Sequence, residues 1–118
     1  MLLPEIKIYA INNPAQLIED HSRKILFCNQ AFVKLFDIDQ TSEQLMGTNC
    51  IDLLVSISNN IPEIEALSAF VAKSLAERLP SKIDNIKINP TTIISITYRS
   101  IKLKENLPVH IWEYTVMS

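Results

Sequence analysis

Glycine is almost absent from this chain, because Gly47 is the only glycine in 118 residues. We therefore expect the tight turns to rely on asparagine, aspartate, serine and proline, each of which favours turns for its own reason. A nucleophile elbow needs glycines on both sides of its serine, so this chain cannot form one. This lack argues against a hydrolase that uses such an elbow.

Cysteine is also scarce. Cys28 and Cys50 are the only two, which is too few for a disulfide framework, so we expect both thiols to be reduced, as in the cytosol. No cysteine and histidine are spaced as the ligands of a metal site, so no metal is expected.

Charge of one sign and long hydrophobic runs are missing as well. The formal net charge is −2, and the lysines and arginines are scattered, so neither a nucleic-acid partner nor a membrane-surface patch is expected. No stretch approaches the roughly 18 apolar residues of a membrane span, and the first ten residues hold no signal-peptide core. Residues 1–118 are predicted to be one cytoplasmic globular domain, with 1–13 as a lead-in segment.

The first half of the chain contains short elements. Residues 4–12 favour a short helix, and the apolar runs 15–20 and 24–29 around a polar break are typical of a hairpin. Asn29 is predicted to cap a helix over "QAFVKLFDI", whose phenylalanine and leucine side chains share one face.

A second short helix is predicted before Gly47, with Thr41 or Ser42 as its cap. Gly47 would then supply the positive φ with which the chain leaves this helix. Asn49 is predicted to cap the helix that follows.

The longest helix is predicted over "NNIPEIEALSAFVAKSLAERLP". Asn59 or Asn60 would cap it, Pro62 would lie in its first turn, and Pro80 would end it. Its apolar face is formed by residues spaced three or four apart: Ile64, Leu67, Val71, Leu75 and Leu79.

The last third is predicted to be strands at 82–88, 91–103 and 107–116, with Asn89-Pro90 as a turn. A bulge near Arg99 or Ser100 would explain why the alternation of the middle strand changes phase. Five strands with helices inserted between the second and the third predict an α+β fold, in which the long helix covers an antiparallel sheet.

An apolar pocket is predicted between the long helix and the sheet. Tyr98 and Tyr114 would present hydroxyl groups into it, which gives a largely apolar cavity with a few polar groups. The alternative is that the same side chains simply fill the core. The apolar walls would be formed by Ile64, Leu67, Val71, Ile94, Ile96 and Trp112.

Three segments together resemble the PAS family of sensor domains over nearly the whole chain. "NNPAQLIEDHSRKILFCNQAFVKLF" resembles its opening hairpin and helix, "TSEQLMGTNCIDLL" its short central helices, and "TYRSIKLKENLPVHIWEYTVMS" its closing strands. The end reads Val116-Met117-Ser118, where the family often has an acidic residue. The resemblance implies a PAS-like five-stranded antiparallel sheet.

A partial match to the flavin-binding LOV group of this family lies at Gly47-Thr48-Asn49-Cys50, where the resemblance implies a cysteine that reacts with flavin. Ile51 and Leu54 stand where that motif has arginine and glutamine, and no glutamine follows Gln44. We therefore expect Cys50 to line the pocket without reacting, and flavin not to bind.

Haem is not expected either, because the family's haem sensors ligate iron through a histidine on the central helices. His21 falls in the predicted hairpin turn, and His110 falls on the last strand, where we expect it at the sheet edge. His110 and Glu113 would point to opposite faces of that strand, which makes them a poor acid–base pair. No catalytic residue is therefore expected, and the sequence identifies no cofactor, with flavin and haem both disfavoured.

The resemblance implies a non-enzymatic sensory or regulatory domain of a signal-transduction protein, with an output domain such as a histidine kinase in a longer chain. It would sense a small molecule in the apolar pocket and signal as a homodimer through its packing. The alternative is a ligand-free dimerisation or protein-interaction module. Candidate contacts for the dimer are the apolar side chains of the lead-in segment: Leu2, Leu3, Ile8 and Ile11.

Overall fold

The computed structural model describes residues 14–103 and 107–117. The predicted helix over 4–12 and the four apolar side chains proposed for a dimer contact lie outside the described residues. The elements in chain order are strands β1 (Ala15–Glu19) and β2 (Ile25–Cys28), helices α1 (Gln30–Leu35) and α2 (Cys50–Ile57), a 3₁₀ helix (Ser58–Asn60), helix α3 (Ile64–Glu77), and strands β3 (Ser81–Asn89), β4 (Thr92–Lys102) and β5 (Pro108–Val116).

Within the described ranges the strands form one antiparallel sheet in the order β2-β1-β5-β4-β3. The helices in the described part of the chain lie between β2 and β3, where the sequence predicts the helical insertion, so the α+β prediction is confirmed. β5 lies in the centre of the sheet, which places the last strand of the chain between the two hairpins. None of the helices in the described part of the chain has the length and hydropathy that crossing a membrane requires.

The turn between β1 and β2 is made without glycine. The Asp20 carboxylate accepts from the backbone N–H groups of Ser22 (2.8 Å) and Lys24 (2.9 Å), as an Asx-type turn does. Arg23 takes the left-handed conformation, with φ at 68°. The predicted hairpin is therefore confirmed. The Asp20 side chain stabilises its turn, and Arg23 adopts the left-handed conformation that glycine usually takes in such turns.

Asn29 caps α1 as predicted and also ties the helix to the sheet. Its Oδ1 accepts from the N–H groups of Phe32 and Gln16, each at 3.0 Å, and its Nδ2 donates to the Pro14 carbonyl at 3.0 Å. The Asn29 side chain therefore caps the first turn of α1 and also forms hydrogen bonds with the backbone at the beginning of β1.

The predicted helix before Gly47 is wrong, because residues 42–47 form successive turns. Thr41 and Gln44 make the two reciprocal hydrogen bonds of a capping box, at 2.9 and 3.1 Å, yet no helix continues from them. Gly47 has a φ of 81°, as expected of the residue that redirects the chain.

The segment after these turns pairs with the start of β2. Gly47 N–H donates to the Ile25 carbonyl (2.8 Å), Ile25 N–H to the Thr48 carbonyl (2.9 Å), and Cys50 N–H to the Arg23 carbonyl (2.7 Å). Asn49 then caps α2, as predicted, by accepting from the N–H of Ile51 at 2.8 Å. These bonds attach the beginning of α2 to the first hairpin.

Helix α3 begins later than predicted. Glu63 is its N-cap, whereas Asn59 and Asn60 belong to the preceding 3₁₀ helix. The backbone of Glu63 donates to the Lys87 carbonyl and its carboxylate accepts from the Lys87 N–H, so a contact with β3 fixes the start. This contact joins residues 24 positions apart, which a local pattern does not reveal.

Arg78 ends α3 in the left-handed conformation, with φ at 57°, two residues before Pro80. Leu79 is consequently 63% exposed and does not continue the apolar face, contrary to the prediction. The buried side of α3 is formed by Leu67, Phe70 and Ser74, with Ile64, Val71 and Leu75 partly buried beside them.

The predicted bulge near Arg99 or Ser100 is wrong. The pairing of β4 with β5 continues without a break from Ile94 opposite Val116 to Lys102 opposite Pro108. The irregularities lie on β3, where Asn85 has a φ of 63°. The apolar residues that suggested a change of phase, Ile101 and Leu103, are exposed.

The core lies between one face of the sheet and the helices. Its fully buried side chains include Trp112, Tyr98, Ile94, Ile96 and Leu45. His110 also lies on this inner side and is only 4% exposed, because β5 is the central strand. The expectation that His110 lies at a sheet edge is wrong.

Replacing Asn29 should reveal how much its bridging role contributes to stability. Asn29→Ala removes an acceptor shared by two N–H groups, and we expect it to lower the free energy of unfolding by about 2 kcal/mol. Asn59→Ala, at an exposed position of the 3₁₀ helix, should change it by less than about 0.5 kcal/mol. Urea denaturation of both variants measures the difference, and equal effects would contradict this role.

Candidate functional site

A half-open cavity of about 50 Å³ lies between the inner face of the sheet and the three helices. Strands β1 and β5 form its floor, and α1, α2 and α3 form its walls. Most of its lining is apolar: Leu17, Phe32, Phe36, Leu53, Leu54, Ile57, Leu67, Val71, Trp112 and Tyr114. The remaining lining residues are Glu19, Arg23 and Cys50.

The structure brings five of the nine predicted pocket residues to this cavity: Cys50, Leu67, Val71, Trp112 and Tyr114. Ile94 and Ile96 are buried in the surrounding core, with 0% and 1% exposure. Ile64 is partly buried against the same core without lining the cavity. The ligand-binding role of all nine stays a prediction.

Tyr98 does not present its hydroxyl to the cavity. Its oxygen lies 2.8 Å from Nδ1 of His110, and the two rings stack. Burial together with the charges of Arg23 and Arg78 lowers the pKa of His110, which favours a neutral ring as the partner of Tyr98. Their hydrogen bond satisfies two buried polar groups beside Trp112, whose ring lies 4.5 Å from that of Tyr98.

The cavity wall around Tyr114 is formed by packed aromatic rings. The centroids of Phe32 and Phe36 lie 5.6 and 5.2 Å from that of Tyr114, in tilted and edge-on arrangements. Pairs of this kind add to the stabilisation that burial alone provides. This side of the cavity is therefore a packed aromatic wall.

Glu19 and Arg23 are the polar residues that the sequence reasoning missed. Glu19 is completely buried at the end of β1, and its Oε1 forms an ion pair with Nε of Arg23. The signal was present in the alternation of β1, where Ala15 and Leu17 are buried and Glu19 falls in the same phase. An acidic residue at an inward position of a strand is unusual and indicates a specific partner.

The second carboxylate oxygen of Glu19 is buried and has no hydrogen-bond donor among the residues that the structure describes. Leaving a buried acceptor unsatisfied costs roughly 1–3 kcal/mol, and more for a charged group. The cavity is therefore apolar except at this corner, where an acceptor is available.

Cys50 faces the same corner. Burial and the neighbouring carboxylate of Glu19 raise the pKa of its thiol far above the ordinary value of 9.0. The thiolate is the reactive form of cysteine, so a thiol held neutral is a poor nucleophile. The groups at this corner that can interact with a bound molecule are consequently the hydrogen-bonding side chains of Glu19 and Arg23, and not a reactive thiol.

The described part of the chain holds no cluster of metal ligands, and His110 and Glu113 do not form an acid–base pair. No group of three or more histidine, cysteine, aspartate or glutamate residues there is arranged to hold a metal ion. Glu113 lies on the opposite face of β5 from His110 and accepts from the Gln16 amide at 2.8 Å.

The free energy of unfolding should fall as the pH rises above about 9. Cys50 stays neutral in the folded protein but ionises near 9.0 once unfolded, so its contribution is complete below that pH and is lost above it. Tyr114, whose pKa burial also raises, adds the same effect above its ordinary value of 10.0. Cys50→Ala should remove its own part of this decline, up to about 1.4 kcal/mol per pH unit, and leave the part of Cys28, because burial raises the pKa of that thiol too.

Urea denaturation between about pH 8 and pH 10.5 measures this dependence for both proteins. The expected result is a flatter profile for Cys50→Ala just above pH 9, before tyrosine ionisation dominates. Identical profiles for the two proteins would show that the thiol is not held neutral.

Comparison with models of protein families finds no match, and neither does comparison with curated protein sequences. Solved structures do match. A sensory box sensor histidine kinase from Vibrio cholerae is 12% identical, with a TM-score of 0.70, over 98% of this chain and 91% of that one. The PAS domain of nitrogen regulation protein NR(II) from Vibrio parahaemolyticus is 19% identical, with a TM-score of 0.55, over 98% of each chain.

A third solved structure is a light-oxygen-voltage domain studied with a flavin analogue. It is 13% identical to this chain, with a TM-score of 0.60, over 98% of this chain and 85% of that one. Identities this low establish a shared architecture only. The strand order, the helices between β2 and β3, and these matches agree, and the chain has the PAS-domain fold.

Proposed function

We propose that this chain is a non-enzymatic sensory domain of a signal-transduction protein, which detects a small molecule in the cavity between the sheet and the helices. The observation that carries the proposal is the cavity itself, with its largely apolar walls and the buried acceptor oxygen of Glu19. Binding sites for small molecules typically combine apolar surface with a few placed polar groups. The sensor histidine kinase structure and the PAS domain of the nitrogen regulation protein, which share this fold, support the assignment to signalling.

The cavity is placed where a ligand would alter helix packing. Leu53 of α2, Leu67 of α3 and Phe32 of α1 all line it. A ligand that binds one arrangement of these helices better than another shifts the population toward it. In this proposal the domain is a homodimer in the cytoplasm, and the shift reaches an output domain, such as a histidine kinase, through dimer packing.

The absence of catalysis is part of the proposal. The Cys50 thiol is held neutral, and one oxygen of the Glu19 carboxylate is engaged with Arg23. A nucleophile or a general base needs an activating partner, and the groups around the cavity provide none. The site is suited to binding rather than to bond making.

We also propose that the domain binds neither flavin nor haem. The cavity volume of about 50 Å³ compares with about 300–1,000 Å³ for sites that hold ligands of drug size. Ile51, where the LOV motif has arginine, is 52% exposed and carries no charge. His110 is engaged with Tyr98 and lies on a strand, so it is not placed as an iron ligand from a helix.

A ligand-free interaction module is the second candidate, and an exposed apolar surface favours it. Leu26 on β2 is 50% exposed and lines one surface groove together with Leu103 and Leu107, at the ends of β4 and β5, which are 55% and 40% exposed. Exposed apolar groups gathered in one region often mark a contact with a partner. In this alternative, dimerisation through the sheet and the lead-in segment would be the whole function.

Native mass spectrometry of the purified chain, compared with a denatured sample, separates the two candidates. The sensory proposal predicts a small molecule that is retained in the native spectrum and lost on denaturation. Leu67→Phe should reduce this adduct because the larger ring fills the cavity, while Leu79→Phe, at an exposed position, should keep it. A dimer without any adduct, and a crystal structure without a cavity, would support the interaction module instead.

The flavin prediction has a direct optical test. The purified protein should be colourless, and it should remain so after refolding in the presence of flavin mononucleotide. Absorbance between about 350 and 500 nm after desalting is the measurement. A bound flavin spectrum would contradict the proposal that the cavity excludes this cofactor.

A further inference from the structure

We propose that the cavity selects small neutral molecules that carry a hydrogen-bond donor on an apolar body, and that Oε2 of Glu19 is the acceptor that recognises them. The inference rests on the proposed sensory function, because it names the class of ligand for the same cavity. It depends on the chemistry of one corner and on the size of the space beside it.

The acceptor is built into the fold. Glu19 has 0% exposure and lines the cavity, and its Oε1 is held by Nε of Arg23. Its Oε2 receives no donor from the described residues. Because water reaches this atom poorly, a ligand N–H or O–H gains more here than it would at an exposed carboxylate.

Neighbouring groups do not replace that donor. The Cys50 thiol contributes only a weak hydrogen bond to the Glu19 carboxylate, because a thiol is a poor donor. Leu17 and Leu53, which also line the cavity, are aliphatic and offer none, and the Tyr114 hydroxyl, although near Glu19, forms no hydrogen bond with Oε2. The oxygen is therefore available to a stronger donor brought by a ligand.

The charge of the corner favours a neutral ligand. Arg23 already balances the negative charge of Glu19, so a cation would gain little extra attraction from the pair. An anion would meet the lone pairs of Oε2 and would lose its hydration inside an apolar space. A neutral donor avoids both penalties.

The size of the cavity limits the body of the ligand. A volume of about 50 Å³ has room for about four water positions, at roughly 10–15 Å³ each. A compact ring of about five non-hydrogen atoms is near this limit, and the apolar side chains of Phe32 and Leu67 would pack against it. Five-membered heteroaromatic rings are therefore suitable probes.

The test compares pyrrole with furan, two rings of equal size of which only pyrrole has an N–H donor. Amide resonances of the ¹⁵N-labelled chain are followed during titration with each probe. We expect pyrrole to bind about tenfold or more tightly than furan, with shifts centred on residues that line the cavity, because a hydrogen bond to a charged acceptor contributes strongly when buried.

Glu19→Gln gives the sharper comparison. If its side-chain carbonyl keeps the bond to Arg23, its amide NH₂ faces the cavity and offers a donor in place of the acceptor. The preference for pyrrole should then disappear or reverse. Glu113→Gln is the matched control, because Glu113 contacts Gln16 on the opposite face of the sheet and the preference should be unchanged.

The outcomes separate the inference from the function on which it rests. Equal binding of pyrrole and furan to the native chain would overturn the donor preference and leave a ligand-binding cavity. No binding of either probe at millimolar concentration would overturn both. A preference that survives in Glu19→Gln would show that Glu19 is not the acceptor, and if that variant does not fold, the comparison on the native chain decides.

Discussion

The ion pair between Glu19 and Arg23 is the interaction on which the site depends. Burying a carboxylate is costly, and a single buried ion pair seldom repays that cost in stability. Here the pair spans the first turn of the chain, and the carbonyl of Arg23 accepts from the N–H of Cys50, at the start of α2. The hairpin, the ion pair and the beginning of α2 are thus one connected unit. A stabilising role alone explains such a pair poorly, and in the proposed function the carboxylate oxygen without a donor is the group that a ligand contacts.

The glycine-poor sequence shapes the same region. Gly47 is used at the one turn where the chain enters the pairing with β2, and its φ of 81° suits a residue without a side chain. Elsewhere Arg23, Asp37, Arg78 and Asn85 adopt positive φ themselves. Cys50 follows the glycine turn and lines the cavity as a neutral thiol. The segment 47–50, which resembles the LOV motif, forms backbone hydrogen bonds with the first hairpin and so attaches the beginning of α2 to it.

Local patterns predicted much of the fold. Asn29, Gly47 and Asn49 could be assigned from residue type and spacing, because capping and positive φ are local requirements. The turns at 42–47 and the late start of α3 could not, because a capping box does not guarantee a helix and the contact of Glu63 with β3 is not local. An apolar cavity between the helices and the sheet was predicted correctly, but only some of the residues that line it were. Glu19 was counted within an apolar run, although its phase in β1 placed it inside, and Ile94 and Ile96 are buried in the core beside the cavity.

The central claim is that Glu19 recognises a ligand inside the cavity, and the carboxyl carbon of this residue reports on it directly. Carbon-13 NMR of the chain labelled at glutamate side chains can follow the Glu19 and Glu113 resonances while pyrrole is added. The account predicts a saturable change at Glu19 with no change at Glu113, which lies on the opposite face of the sheet. A binding isotherm that saturates in the amide resonances while the Glu19 carboxyl resonance stays fixed would contradict it.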